Sequence, residues 1–341
     1  MSQIKERAEA AIPGLDRRTW LRRAAFRSVV LARMALAPRR GEATQDRKLT
    51  PAEESARELE RAQSRVRAAT HHPLQSALSD EYQAVGDASE SFMKTALGDC
   101  ERIAGDFLAH YQAKGFQLKR PERRMTIVAF RDERPFSEFA RKFARNVPAN
   151  ASGFYSRAEN WLVLYDIRNV PADGLGGALK NVRTLAHEAT HQLTYNTGLL
   201  NRRGDVPVSI IEGLACYGET RRLRGRNEPG LLNSPRLDDL AHIQRRANWI
   251  STADLVNDDA LASGAKPDQM LLVYAQSWLL IYYLINSPQR LPQLQNYFKT
   301  IFPRLDKKNR IDDAVKCFGE LDRLDQELRR EAIRLQKEPR P

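Results

Sequence analysis

The chain has 341 residues, of which 55 are Lys or Arg and 43 are Asp or Glu, so its formal charge is +12. Hydrophobic residues make up 42% and charged residues 29%, which is typical of a globular protein and excludes a chain that is disordered throughout. The three cysteines, Cys100, Cys216 and Cys317, are far apart and odd in number. This excludes a disulfide scaffold and a zinc knuckle of the CxxC type.

The positive charge is concentrated near the N-terminus. Residues 1–50 contain 12 Lys and Arg against 5 Asp and Glu, whereas the rest of the chain is nearly balanced. Because no nucleic-acid motif accompanies the charge, we predict no nucleic-acid partner and interpret this segment as a basic arm suited to an anionic surface. Arg17 and Arg18 resemble a twin-arginine export signal, but further arginines interrupt the stretch that should be apolar. A cytoplasmic location is therefore favoured, with export as the alternative.

The predicted elements begin with a polar linker over 38–51 and a charged helix over 53–69, which has little apolar face and is expected to be solvated. With the arm they form a predicted appendage, partly disordered, over residues 1–72, followed by a folded domain over 73–338. Strands are predicted at 81–85, 125–130, 153–155 and 161–165, and helices at 89–114 and 136–143. From residue 175 onward the pattern is almost entirely helical, and the apolar run 270–285 is expected to be a buried core helix.

The order of these elements predicts the fold class. Strands come first and helices follow, which favours an α+β fold with a small mixed sheet and a predominantly helical half. This order argues against alternating βα units of a parallel sheet.

The main chemical signal is the pentapeptide His187-Glu188-Ala189-Thr190-His191, within a helix predicted over 179–196. Two histidines four residues apart lie on one face of a helix, one turn apart, so both imidazoles can reach one metal ion. Glu188 points about 100° around the helix from His187, where it can reach a water beside the metal. This is the mechanical basis of the HExxH zinc motif.

A catalytic zinc site needs a third protein ligand. Glu212 is the candidate, because twenty residues lie between it and His191, enough for a loop and a second helix. Pro207 is placed where that helix would begin. The small residues Gly213 and Ala215 are expected to let it approach the first helix closely.

The pair of strings HEATH and EGLACYGE resembles the gluzincin metallopeptidases, in which a glutamate on a second helix completes the zinc site. The aminopeptidase N-like branch carries a similar E-G-x-A-x-Y-x-E string. The chain is also similar, over about residues 75–335, to bacterial peptidase-like domains of this superfamily, which carry a later Tyr-Ala-x-Ser-Trp helix, here at 274–278. The resemblance implies a zincin-like fold and one zinc ion bound by His187, His191 and Glu212, with Glu188 as the base. Ile211 replaces the asparagine that is usual in aminopeptidases, which leaves endo- or exopeptidase cleavage open.

The resulting hypothesis is zinc-dependent hydrolysis of peptide bonds in a peptide or protein substrate. Glu188 would act as general base, and Tyr274 would stabilise the oxyanion, with His242 as a rival. The alternative is a catalytically silent zincin-fold protein that binds or scaffolds. The sequence makes no prediction of an oligomeric state.

Three further roles stay open at this point. Glu219 either orients a zinc histidine or pairs with Arg221 or Arg222. The strand at 161–165 is predicted at the edge of the sheet, either as an edge on which a peptide docks or as an edge strand that only closes the sheet. Cys216 is interpreted as a small buried apolar side chain, with metal ligation as the alternative.

Overall fold

The structure is a computed structural model that describes residues 49–144, 147, 151–169, 174–220, 229–243, 248–262 and 267–338. The residues from Leu49 onward form one compact unit. The twin-arginine-like segment and nearly all of the predicted basic arm lie outside the described residues.

The described elements are five strands, eleven α-helices and two short 3-10 helices. The strands are β1 (Gln75–Leu78), β2 (Tyr82–Gly86), β3 (Met125–Phe130), β4 (Gly153–Ser156) and β5 (Trp161–Tyr165). The helices are α1 (Pro51–Arg67), α2 (Glu90–Ala113), α3 (Glu133–Phe143), α4 (Gly174–Asn196), α5 (Val208–Gly218), α6 (Ser234–Ile243), α7 (Thr252–Asn257), α8 (Pro267–Asn286), α9 (Leu291–Ile301), α10 (Arg310–Phe318) and α11 (Leu321–Lys337). The 3-10 helices are Ile167–Asn169 and Asp259–Ala262.

The five strands form one mixed sheet in the order β1-β2-β3-β5-β4. The three inner strands are parallel, and the two edge strands are antiparallel to their neighbours. The predicted α+β class with a small mixed sheet and a mostly helical remainder is therefore confirmed. The argument against βα units is wrong for the inner strands, because parallel neighbours need crossover connections and α2 and α3 lie in them. Strand β1 was not predicted, since it is short and mostly exposed.

The three inner strands are buried on both faces of the sheet. Side chains alternate between the faces along each strand. One face packs against α2, α4 and the helical half through residues such as Ala84, Ile127 and Leu162. The other packs against α1 and α3 through residues such as Val128 and Val163. Burial on both faces explains why β3 and β5 read as continuous apolar runs.

Helix α1 belongs to the folded unit, which corrects the prediction that this charged segment is a solvated part of an appendage ending at residue 72. Ala62 and Val66 are fully buried against the sheet. Gln83 Nε2 on β2 donates a hydrogen bond to the carbonyl of Ser55 at 2.8 Å. Helix α1 packs with only a narrow apolar stripe because its long charged side chains cover the rest of the surface that it contacts. The guanidinium of Arg61 lies 4.8 Å from the centre of a tryptophan ring on β5.

Helices α5 and α8 cross closely in the helical half. A Cβ on Gly213 would lie 2.4 Å from the carbonyl oxygen of Ser277, so only glycine permits this crossing. The expected role of Gly213 against the HExxH helix is wrong. Gly218 has that role, since a Cβ there would lie 2.1 Å from Thr190 Oγ1 on α4.

Helix α8 is the buried core helix predicted from its apolar run. Within the described ranges, no single helix combines the length and apolar composition that a membrane span requires. Helices α8 and α9 meet that test only as a pair bent by 116°.

Candidate metal centre

Helix α4 places the two motif histidines side by side, and α5 brings a carboxylate to both. The rings of His187 and His191 lie 4.8 Å apart and nearly perpendicular. Glu212 Oε2 lies 3.2 Å from His187 Nε2 and 3.6 Å from His191 Nε2. The structure thus brings together the three predicted ligands, with donor atoms within 4.8 Å of one another.

These distances fit a tetrahedral metal ion. Zinc–ligand bonds of about 2.0–2.1 Å at tetrahedral angles separate the ligand atoms by about 3.3 Å. Glu212 Oε2 is buried and has no hydrogen-bond partner among the described residues, an arrangement that is costly unless a cation binds there. Burial alone would raise the pKa of Glu212, but the interactions with the His191 and His187 imidazoles outweigh it and lower that pKa. The carboxylate is therefore ionised and available as a ligand.

Glu219 sets the orientation of the first histidine. The carboxylate accepts a hydrogen bond from His187 Nδ1–H at 2.8 Å, which directs Nε2 at Glu212 and makes it the metal-binding nitrogen of the neutral imidazole. Of the two predicted roles for Glu219, the structure therefore supports the orientation of a histidine. The proposed alternative partners, Arg221 and Arg222, lie outside the described residues.

Glu219 is held by three further side chains. Arg183 donates from Nη2 at 2.9 Å, Arg236 from Nη2 at 2.6 Å, and Asn233 from Nδ2 at 3.0 Å. Burial opposes the charge, but the bond from His187 and the two guanidinium groups lower the pKa of Glu219 well below its usual value. The carboxylate thus stays ionised inside the protein.

Glu188 faces the same site from α4 and is nearly buried. Burial raises the pKa of this carboxyl, while the neighbouring histidines and a backbone hydrogen bond from Tyr155 partly offset the effect. A carboxylate with a raised pKa is a stronger base, which suits proton transfer near neutral pH.

Tyr274 lies two turns inside α8, and its ring stacks on His187 at 6.3 Å. The negative charge of Glu212 and burial both raise its pKa, so the phenol keeps its proton and can donate a hydrogen bond. Its rival His242 is exposed on α6 and does not line the cleft described next. The structure thus favours Tyr274 over His242.

A cleft of about 930 Å³ opens over these residues. Strand β4 forms one wall, while Arg183, Asp239 and Leu271 contribute to the rest of the lining. The prediction that residues 161–165 form an edge strand is wrong, because this strand, β5, lies between β3 and β4. The strand at this edge of the sheet is β4. Composition could not distinguish the two members of this hairpin.

The backbone of β4 directs polar groups away from β5, toward the cleft. Tyr165 N–H donates to the carbonyl of Ser152, and the antiparallel register pairs Gly153 with Leu164. Alternation along the strand then directs the N–H and C=O groups of Gly153 and Tyr155 away from β5. The backbone hydrogen bond from Tyr155 to Glu188 agrees with this direction.

Asn160 links the β4–β5 hairpin to α4, the helix that carries the candidate ligands His187 and His191. It has φ of 64°, in the left-handed region that asparagine tolerates. Its Oδ1 accepts a hydrogen bond from Tyr155 Oη at 2.7 Å, and its carbonyl accepts one from Gln192 Nε2 at 2.9 Å. The Tyr155 ring in turn stacks on His191 at 6.2 Å. The sequence marked a turn here but carried no signal of these contacts.

Cys216 is fully buried, as the sequence interpretation expected. With His187 and Glu219 it forms a second group whose donor atoms lie within 4.8 Å of one another. The two guanidinium groups on Glu219 disfavour a cation at that position, so the group around Glu212 is the better metal site.

The comparison with known families points to the same region. Residues 181–301 match a family described as a protein of unknown function, DUF1570. The matched segment contains the three candidate ligands, Glu188 and Tyr274. No curated protein matches the chain.

Proposed function

We propose that this protein is a zinc-dependent peptidase of the gluzincin type with a zincin-like fold. One observation carries the proposal: the Nε2 atoms of His187 and His191 converge on Glu212 Oε2, while Glu219 holds His187 Nδ1. The matched family has no described function, so the proposal depends on this geometry and on the resemblance of the motifs.

A zinc ion held by these three residues supplies Lewis-acid chemistry at this point of the cleft. In this proposal Glu188 takes the proton of the attacking water and returns it to the leaving amine. Its raised pKa suits both directions of transfer. Tyr274, whose raised pKa keeps the phenol protonated, is the proposed hydrogen-bond donor to the carbonyl oxygen as that oxygen gains negative charge.

Strand β4 is the proposed docking site for an extended peptide. Gly153 offers an outward N–H and C=O, and Tyr155 an outward C=O, next to the HExxH helix, as strand addition requires. Such binding fixes the peptide backbone beside Glu188 regardless of its side chains.

Elemental analysis and hydrolysis of a quenched peptide library test the proposal. We expect one equivalent of zinc in the wild type and in Glu188→Gln, with activity lowered at least about 100-fold in the variant. Glu212→Ala should lose most of the bound zinc. Glu327→Gln removes a half-buried carboxylate paired with Arg290, and serves as the matched control with unchanged zinc and activity. A wild type without stoichiometric zinc, or full activity in Glu188→Gln, would contradict the proposal.

A further inference from the structure

Arg183 presents a positive group to the cleft. It lies on α4 one turn before His187, so its side chain shares the face of the metal ligands. Its side chain is 40% exposed, whereas Arg236 is 13% and Glu219 3% exposed. Both arginines that hold Glu219 line the cleft, and Arg183 is the more exposed of the two.

The Arg183 guanidinium is held in place before any ligand binds. Nε and Nη2 both donate to Glu219 Oε2, at 3.1 and 2.9 Å. Among the described residues no partner is seen for Nη1, which can donate two hydrogen bonds. A guanidinium fixed on one side and free on the other is preorganised for a carboxylate, because little side-chain entropy remains to be lost.

Strand β4 relates this group to the substrate. Ser152 Oγ lies 2.8 Å from Thr184 Oγ1, next to Arg183, whereas Tyr155 stacks on His191. The Tyr155 end of β4 therefore lies beside the candidate metal ligands, and Ser152, just before the strand begins, lies beside Arg183. A peptide added antiparallel to β4 passes Tyr155 first and Ser152 later, so Arg183 meets residues on the C-terminal side of the scissile bond.

The other charged residues of the cleft do not offer the same group. Arg157 donates to the carbonyls of Arg202 and Gly204, and its guanidinium lies over the Tyr195 ring. Asp239 lies at the Arg183 end, 3.6 Å from Arg236, and reduces the positive potential there.

We propose that Arg183 binds a carboxylate of the substrate on the C-terminal side of the scissile bond. The carboxylate belongs either to an acidic side chain or to a free C-terminus. This inference rests on the proposed peptidase function and assigns the class of peptide that the site prefers.

Matched peptide pairs test the inference. One pair differs by Glu against Gln at each position after the scissile bond, and another by a C-terminal acid against an amide. We expect wild type to prefer one acidic member by about tenfold or more in kcat/KM, as for a charged hydrogen bond. The pair that shows the preference identifies the source of the carboxylate. Arg183→Gln should bring the ratio close to one, and Arg183→Lys should retain part of it.

The ratio separates recognition from structural damage, since damage lowers the rate for both members alike. Asp239→Asn should raise the ratio, because it removes a repelling charge from the same end of the cleft. Arg168→Gln is the matched control, an exposed arginine paired with Asp166 away from the cleft, and should leave the ratio unchanged.

Binding measurements distinguish failure of this inference from failure of the proposed function. Fluorescence anisotropy of the same labelled peptides with Glu188→Gln, with and without Arg183→Gln, gives the ratio of Kd values without turnover. Equal hydrolysis and equal binding of the acidic and neutral members would overturn the inference and leave the peptidase function standing. Tighter binding of the acidic member, lost with Arg183→Gln, upholds the carboxylate site even if no peptide is cleaved.

Discussion

A cluster of oppositely charged side chains lies at each end of α5. The two clusters are similar in composition but differ in their expected roles. Glu219, just after the C-terminal end, is bound by Arg183 and Arg236. Before the N-terminal end, Asp205 and Asp259 bind Arg310. Each cluster compensates buried charge, but only the first also contacts a candidate metal ligand.

The N-terminal cluster joins three separate parts of the helical half. Arg310 Nη2 donates to Asp205 Oδ1 at 2.6 Å, and Nη1 donates to Asp259 Oδ1 at 2.7 Å. Asp259 also accepts from Val208 N–H at 3.0 Å, at the first turn of α5. The Arg310 side chain is 1% exposed, so this cluster has no opening for a ligand at its guanidinium.

The difference shows what turns a buried ion cluster into part of a site. Both arrangements satisfy buried charges, and such satisfaction alone is weak evidence of function. An added imidazole and an exposed guanidinium connect the Glu219 cluster to chemistry and to the cleft. We therefore expect the N-terminal cluster to govern stability and the C-terminal cluster to govern metal binding.

The largest expected effect is on stability. Arg310→Met leaves Asp205 and Asp259 without their shared buried partner, which should lower the free energy of unfolding by about 3 kcal/mol. Urea unfolding measures the change. Arg323→Met removes an 81% exposed member of an ion pair and should leave stability unchanged, as the matched control. Equal stability of Arg310→Met and wild type would contradict the claim that the N-terminal cluster governs stability.

The next effect is on metal affinity. Glu219→Gln removes the charged acceptor of His187 Nδ1, so zinc affinity should fall about 10- to 100-fold. Competition with a chromophoric chelator measures this affinity. Glu327→Gln and Arg310→Met should both retain wild-type affinity, since neither residue contacts the site. A loss of affinity in Arg310→Met equal to that in Glu219→Gln would erase the functional distinction between the two ends.

The smallest effect is a pH dependence of stability that belongs to the N-terminal cluster. Burial opposes charge, but Arg310 outweighs it and lowers the pKa of Asp205 and Asp259 below the ordinary 3.8. The unfolded chain then binds protons that the folded chain does not, so stability falls as the pH drops below about 4. Each unit of pKa difference is worth about 1.4 kcal/mol. Urea unfolding between pH 5 and pH 3 should show a shallower decline in Arg310→Met, and an equal slope would refute this assignment.

Much of the fold could be predicted because local pattern and tertiary structure agree there. The strands β3 and β5 and the helices α2, α4 and α8 lie where their periodicity placed them. Helix α1 was misjudged because a helix with few buried apolar residues can still pack when its long side chains cover an aromatic ring. The parallel pairing of the inner strands is a non-local property, which strand composition does not encode.

The candidate site divides in the same way. Helical spacing suffices to bring His187 near His191, and one loop suffices to bring Glu212 to both. Arg183 carried a usable signal, since it lies four residues before His187 on the same helix. Arg236 and Asn160 carried none, because they come from a separate helix and from a turn whose contacts form only in the folded chain.

The sequence by itself determined the candidate donor set, the proposed base and the two helices that carry them, because an i, i+4 spacing on a helix is a local geometric constraint. Only the tertiary structure decided that Glu219 binds His187, that β4 forms the edge of the cleft, and that Tyr274 rather than His242 lines it. These depend on how distant elements pack. Packing is set by the shapes and charges of many residues together, such as the close crossing at Gly213, and by no single motif.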